Sequence, residues 1–293
     1  MDVRQPPLGV LGEDDLVRLV RPRLVGQLLV ALVLVGCSSS GSSTPQVAST
    51  PGLSSPTSSA TSVVTPPPPP PPPPAHACYR LGYDDALAPT SDVKPSPCSG
   101  PHTAVTFFVG SLPAHQPVDG AVVHRLVSTA CPRRFASFVG GTLDERRLSL
   151  LRTVWFTPTL EQGQAGARWF RCEAIAIRDD QDLAPLTGPI AGALDSDRTR
   201  QRYALCGTAE PGTSGFQQRI CSSPHSWQAL RTVDFPAGRY PGVDHVKSAG
   251  QAPCQDAAHA IAGDPLNFRW SYQWPTLEQW RAGHTYGVCW APS

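Results

Sequence analysis

The strongest constraint on the fold is a duplicated pattern of cysteines. Cys98-Ser99-Gly100-Pro101-His102 recurs 123 positions later as Cys221-Ser222-Ser223-Pro224-His225. From each copy the next cysteine lies 33 positions on, at Cys131 and Cys254. Pro158-Thr159-Leu160-Glu161-Gln162 likewise recurs as Pro275-Thr276-Leu277-Glu278-Gln279, and each copy reaches a closing cysteine, Cys172 or Cys289, 14 positions after its proline. With Cys78 and Cys206 leading, eight of the nine cysteines divide four and four. Paired cysteines in modules of this size belong to an oxidising compartment outside the cytosol.

The ninth cysteine, Cys37, stands apart. Arg18, Arg21 and Arg23 precede an apolar run from Leu24 to Val35. The run is too short to span a bilayer and has the length of a signal-peptide apolar segment. It ends Leu34-Val35-Gly36-Cys37, which resembles a bacterial lipobox, so residues 1–37 are expected to be a lipoprotein signal peptide with Cys37 as the lipidated first mature residue. A translation start nearer Val17 removes the atypical acidic stretch Glu13-Asp14-Asp15. Residues 38–77 are rich in Ser, Thr and Pro and end in the proline run Pro66 to Pro74. Such a segment buries no core and is expected to be a disordered spacer, its prolines a polyproline II rod of about 28 Å. A docking site for a proline-binding domain is the alternative.

The folded part is expected as two tandem modules, residues 78–177 and 203–293, joined by a charged linker over 178–202. In the first, Ala104–Gly110, Leu148–Thr157 and Arg168–Ile177 read as strands. Val122, Val123, Leu126, Val127, Ala130, Cys131, Phe135 and Phe138 recur at helical spacing. Pro132 is expected to kink or split that helix, because it lacks an N–H and clashes with the preceding turn. In the second, the strands fall near Phe216–Ile220, Trp227–Val233, Phe268–Trp274 and Tyr286–Trp290, with a helix over 244–262. Thr159 with Gln162, and Thr276 with Gln279, have capping-box spacing, and Gly166 and Gly283 stop each turn. Each module therefore reads β-β-α-β-β, an antiparallel sheet with one helix on it, of class α+β. Bridges Cys131–Cys172 and Cys254–Cys289 would pin helix to sheet, leaving Cys78–Cys98 and Cys206–Cys221; four cysteines allow three connectivities in each module.

These residues also resemble a known family. A leading cysteine, Cys-x-x-Pro-His, a helical cysteine, an aromatic-proline stretch (Trp155-Phe156-Thr157-Pro158; Trp274-Pro275), a glycine and a closing cysteine resemble the actinobacterial septum formation domain of mycobacterial and related envelope proteins. The resemblance covers about 190 residues, as two copies. Trp280 matches the family's tryptophan before the glycine, whereas the first copy has Gly163 there. The resemblance implies a link to division or septal wall growth and carries no catalytic residue or cofactor.

Chemistry is sparse. The formal net charge of +1 leaves no basic footprint for nucleic acid. Pro101-His102 and Pro224-His225 could serve metal binding or general-base work, or close a turn with the imidazole on a backbone carbonyl; no second ligand recurs at a fixed offset in both copies. His245, His259 and His284 are extra to the second module and offer a metal-site alternative. Glu161 and Glu278 could be acid/base groups, or complement a helix start. Ser91-Asp92-Val93-Lys94 matches Ser-x-x-Lys without its companion motifs. The seven tryptophans, if several share an exposed face, make a surface for a peptide or glycan of the envelope. The expectation is a non-enzymatic, lipid-anchored protein on the outer face of the cytoplasmic membrane, binding or scaffolding near septal or wall processes. A wall-acting enzyme or accessory, and a metal-binding lipoprotein, are the alternatives.

Overall fold

In the computed structural model the described residues are 68–293. The expected signal peptide, Cys37 and the expected spacer as far as residue 67 lie outside them. The first half builds β1 (Cys78–Tyr79), α1 (Tyr83–Leu87), β2 (Ala104–Ser111), α2 (Ala121–Val139), α3 (Leu143–Arg147), β3 (Leu151–Phe156), α4 (Leu160–Gln164), β4 (Trp169–Asp179) and β5 (Asp182–Leu183). The second half follows with α5 (Asp197–Arg202), β6 (Leu205–Gly207), β7 (Gln218–Ile220), β8 (Trp227–Asp234), α6 (Val243–Ala249), α7 (Gln251–Ile261), β9 (Ser271–Gln273), α8 (Leu277–Arg281) and β10 (Tyr286–Pro292). The class is α+β, and all strand pairs are antiparallel.

The first sheet runs β1-β2-β4-β3, with β5 on β4; the second runs β7-β6-β8-β10-β9. Leaving out β5 and β7, the two orders match strand for strand. β6 is a strand that the sequence did not signal, because Leu205-Cys206-Gly207 is too short to show a period. Its addition makes the second half β-β-β-α-β-β.

Four disulfides hold these elements. Cys131 on α2 bonds Cys172 on β4, and Cys254 on α7 bonds Cys289 on β10, so each tethers a helix to an interior strand of its sheet. Cys78 on β1 bonds Cys98, and Cys206 on β6 bonds Cys221 just beyond β7. The bridges span sequence separations of 15 to 41 residues. In the chain-entropy picture each contributes about 3–4 kcal/mol by restricting the unfolded chain.

Pro132 does not split its helix. α2 runs unbroken from Ala121 to Val139, with Val123, Val127, Cys131, Phe135 and Val139 buried at every fourth residue. Packing of that stripe against the sheet offsets the backbone hydrogen bond that proline cannot donate. The second half does break its helix, but at Gly250. A Cβ there would lie 2.1 Å from the Tyr272 ring, so the close approach admits only glycine. Pro253 then sits in the first turn of α7, where an N–H has no intrahelical acceptor in any case.

The main correction concerns residues 178–202. They are not a solvated linker. Leu183, Ala184, Leu186, Ile190, Ala193 and Leu194 are all buried. Leu183 joins a first-half cluster with Tyr79, Leu81 and Ile175, and the other five join a core that takes Phe135, Val139 and Leu150 from the first half and Leu205, Ile220, Trp227, Tyr286 and Trp290 from the second. Backbone bonds cross the junction as well: Leu150 N–H donates to Tyr203 O (2.7 Å) and Leu205 N–H to Leu148 O (2.8 Å). The reason lies in strand alternation. Cys289 faces α7, so Tyr286, Val288 and Trp290 face the other way, into the shared core. The sheet face that a lone module would expose is covered by the other half.

The proline run also departs from a free rod. Pro70 and Pro73 are half-buried, three residues apart, while Pro68, Pro69, Pro71, Pro72 and Pro74 are exposed. Three residues make one turn of polyproline II, so one edge of this stretch is partly covered. Gly166, beside Pro69, has little room for a Cβ (3.3 Å).

Candidate functional site

The two Pro-His turns have one geometry. His102 Nδ1 donates to Gly100 O at 2.8 Å, and His225 Nδ1 donates to Ser223 O at 2.8 Å. A carbonyl only accepts, so each ring carries its proton on Nδ1. Both imidazoles close the turn that follows a disulfide cysteine.

The two Pro-Thr-Leu-Glu-Gln stretches also match. Thr159 Oγ1 accepts from Gln162 N–H while the Gln162 side chain accepts from Thr159 N–H, and Thr276 and Gln279 repeat the exchange. Pro158 and Pro275 are buried beneath the turns. What remains, Leu160-Glu161 and Leu277-Glu278, points outward: Leu160 is 54% exposed and Leu277 43%. Glu161 sits in the first turn, where backbone hydrogen bonding holds its carboxyl below the ordinary range. Neither glutamate shares a hydrogen bond or ion pair with a Pro-His imidazole among the described residues.

The one departure between the copies has a steric cause. Trp280 is buried under α8, its Nε1 donating to Gly238 O at 2.7 Å. At Gly163, the matching position, a Cβ would meet both Val118 methyl groups at 2.9 Å. Val118, itself buried, fills from outside the turn the space that Trp280 fills from within it.

Other expected sites do not assemble. His245 and His259 are exposed and His284 is buried, and they form no common ligand group. Ser91 lies in a loop, its Oγ accepting from Val93 N–H, and Lys94 is exposed. Trp169, Trp227, Trp280 and Trp290 are buried and Trp155, Trp270 and Trp274 half-buried, so no tryptophan is fully exposed. The condition for a tryptophan-lined surface, several on one exposed face, is therefore not met by fully exposed rings.

Two polar clusters escaped the sequence reading. Arg171 and Glu173 share a face of β4 and are 4% and 0% exposed, with Arg171 Nε 2.9 Å from Glu173 Oε1. The guanidinium lies 4.1 Å over the Tyr79 ring, and Thr106 Oγ1 donates to Glu173 Oε1 at 3.5 Å. Burial pushes the Glu173 carboxyl up to about 7 despite the opposing pull of Arg171. An Arg-x-Glu on the longest strand was the available signal; the alternation fitted a solvent face equally well.

The second cluster joins the halves. Asp144 on α3 accepts from Thr232 N–H (2.9 Å) and Oγ1–H (2.6 Å) on β8. Arg147 pairs with Asp234 and lies 4.1 Å over the Tyr286 ring. His284 stacks on that same ring at 3.9 Å. Burial, then the charges of Arg147 and Arg152, lower its pKa to about 4, so the imidazole is neutral near pH 7. These contacts fasten one half to the other. No helix among the described residues is long and apolar enough to cross a membrane.

No curated protein and no solved structure matches the chain. The septum formation family model does, in one match over residues 113–289. That match is more than half of the chain, and it takes in both helix-to-sheet disulfides, both capped turns and the junction between the halves. On that evidence the chain belongs to the septum formation family.

Proposed function

We propose that this is a non-enzymatic envelope protein, anchored by lipid on Cys37 outside the cytosol, that binds or scaffolds partners during septum formation. Membership of the septum formation family links the chain to that process, and the family's description names a process and no reaction. The observation that carries the binding role is the duplicated capped turn. Two rigid turns on one stapled core each present an exposed leucine beside an exposed glutamate. Threonine, glutamine and proline hold each turn; the Leu-Glu pair is left for a partner. The repeated histidines close their turns on backbone carbonyls and share no hydrogen bond with the repeated glutamates among the described residues, which speaks against an acid/base pair.

The test is localisation in the cells that make the protein. The tagged full chain is expected at division septa, and Cys37→Ala is expected to release it from the membrane. Leu160→Ser with Glu161→Ala, combined with Leu277→Ser and Glu278→Ala, should melt within a few degrees of the parent yet lose septal enrichment. Septal enrichment unchanged by these four substitutions would overturn the role given to the turns. A parent never found at septa would overturn the reading as a whole.

A further inference from the structure

One group of side chains among the described residues could hold a metal ion: Cys206, Cys221 and His225, whose ligand atoms lie within 4.8 Å of one another. The two cysteines are bonded in this structure. We infer that the Cys206–Cys221 bridge is a reduction-gated metal site: closed as a disulfide, and, when reduced by an envelope thiol, a two-thiolate, one-imidazole site for a thiophilic divalent cation such as zinc.

Access favours this bridge. Cys131, Cys172, Cys254 and Cys289 are each 0% exposed, so neither helix-to-sheet disulfide offers a sulfur to an attacking thiolate. Cys221 is half-buried at the end of a short strand. An incoming thiolate bonds Cys221 Sγ, the S–S bond breaks, and Cys206 leaves as a thiolate. A second thiol then takes the first away as its own disulfide, leaving two cysteine thiols. Zinc binds by displacing their two protons.

The Pro-His turn prepares the third ligand. His225 Nδ1 already donates to Ser223 O, the type of backbone contact that orients metal-bound histidines and leaves Nε2 with the free lone pair. With Zn–S bonds near 2.3 Å, the sulfurs need to part to about 3.8 Å, a small opening at a loop. A fourth position stays open to water or a partner's ligand. The first half contains its own control. Cys78–Cys98 also has an accessible sulfur, at exposed Cys98, but His102 is buried (9% exposed) and joins no such group.

The full chain is treated with graded phosphine reductant below its unfolding threshold. Opened cysteines are mapped by alkylation and peptide mass, and the desalted protein is titrated with zinc against a chromophoric chelator. Close to one zinc per chain is expected after reduction and none before. His225→Ala, at an exposed turn, should weaken zinc binding at least about tenfold, while His102→Ala should leave it unchanged. Cys221→Ser should abolish it. The inference is overturned if the bridge opens and no zinc is retained, if His225→Ala binds as the parent does, or if the bridge stays closed until the chain unfolds.

Discussion

Two buried titratable groups, one in each half, should make this protein's stability depend on pH in opposite directions. His284 has its folded pKa lowered to about 4 from an ordinary 6.5. Between those values the unfolded chain binds the proton and the folded chain does not, so stability falls as pH drops from 6.5 to 4. Glu173 has its folded pKa raised to about 7 from 4.5. There the folded chain holds the proton, so stability falls as pH rises from 4.5 to 7. Each shift of two and a half pH units corresponds to about 3 kcal/mol. The parent should therefore be nearly flat between pH 4.5 and 6.5, the two effects offsetting each other. His284→Phe keeps a ring against Tyr286 and removes the proton; its stability should fall by about 3 kcal/mol from pH 4.5 to 7. Glu173→Gln imitates the protonated carboxyl, and its stability should instead rise by about 3 kcal/mol from pH 4 to 6.5. Urea unfolding of the oxidised chain at half-unit pH steps, followed by tryptophan fluorescence, reads both slopes. Variants whose slopes match the parent's would refute the assignment of these groups.

Three further outcomes are expected. Because the halves share one core, calorimetry should give a single unfolding transition, and Asp144→Ala, which strips Thr232 of its acceptor, should lower it by about 1–3 kcal/mol; two resolved transitions in the parent would contradict the shared core. Gly163→Ala should cost about 1–3 kcal/mol by forcing its Cβ against Val118, and Val118→Ala in the same chain should recover part of it, a coupling that a double-mutant cycle measures. Thr159→Ala and Thr276→Ala should each cost about 1 kcal/mol in chemical denaturation through the lost cap.

Local signals were legible because they are encoded over a few residues. Thr159-x-x-Gln162 and Thr276-x-x-Gln279 specify capped turns wherever they stand. The run around Val123, Val127 and Phe135 carries its own helical period. The alternation in β4 marks a strand. The recurrence of Cys-Ser-x-Pro-His and of the closing cysteines was enough to see a repeated cysteine pattern and to expect disulfides. Residues 178–202 failed as a linker because Leu183, Leu186, Ile190 and Leu194 stand singly among charges and glycines. Isolated apolar residues have no period, and what buries them comes from distant parts of the chain.

By itself, then, the sequence determined the α+β class, the longer helices and strands, the capped turns and the family. Only the tertiary structure decided which cysteines pair, since four in a module are compatible with three connectivities and spatial proximity selects among them. It alone joined the halves through Trp290 and Tyr286, because which sheet face is covered depends on what packs across it and not on alternation along the strand. It also turned Arg171, Glu173 and His284 from surface-looking polar residues into buried ones. A side chain's charge is written in the sequence, whereas its distance from water is a property of the whole fold.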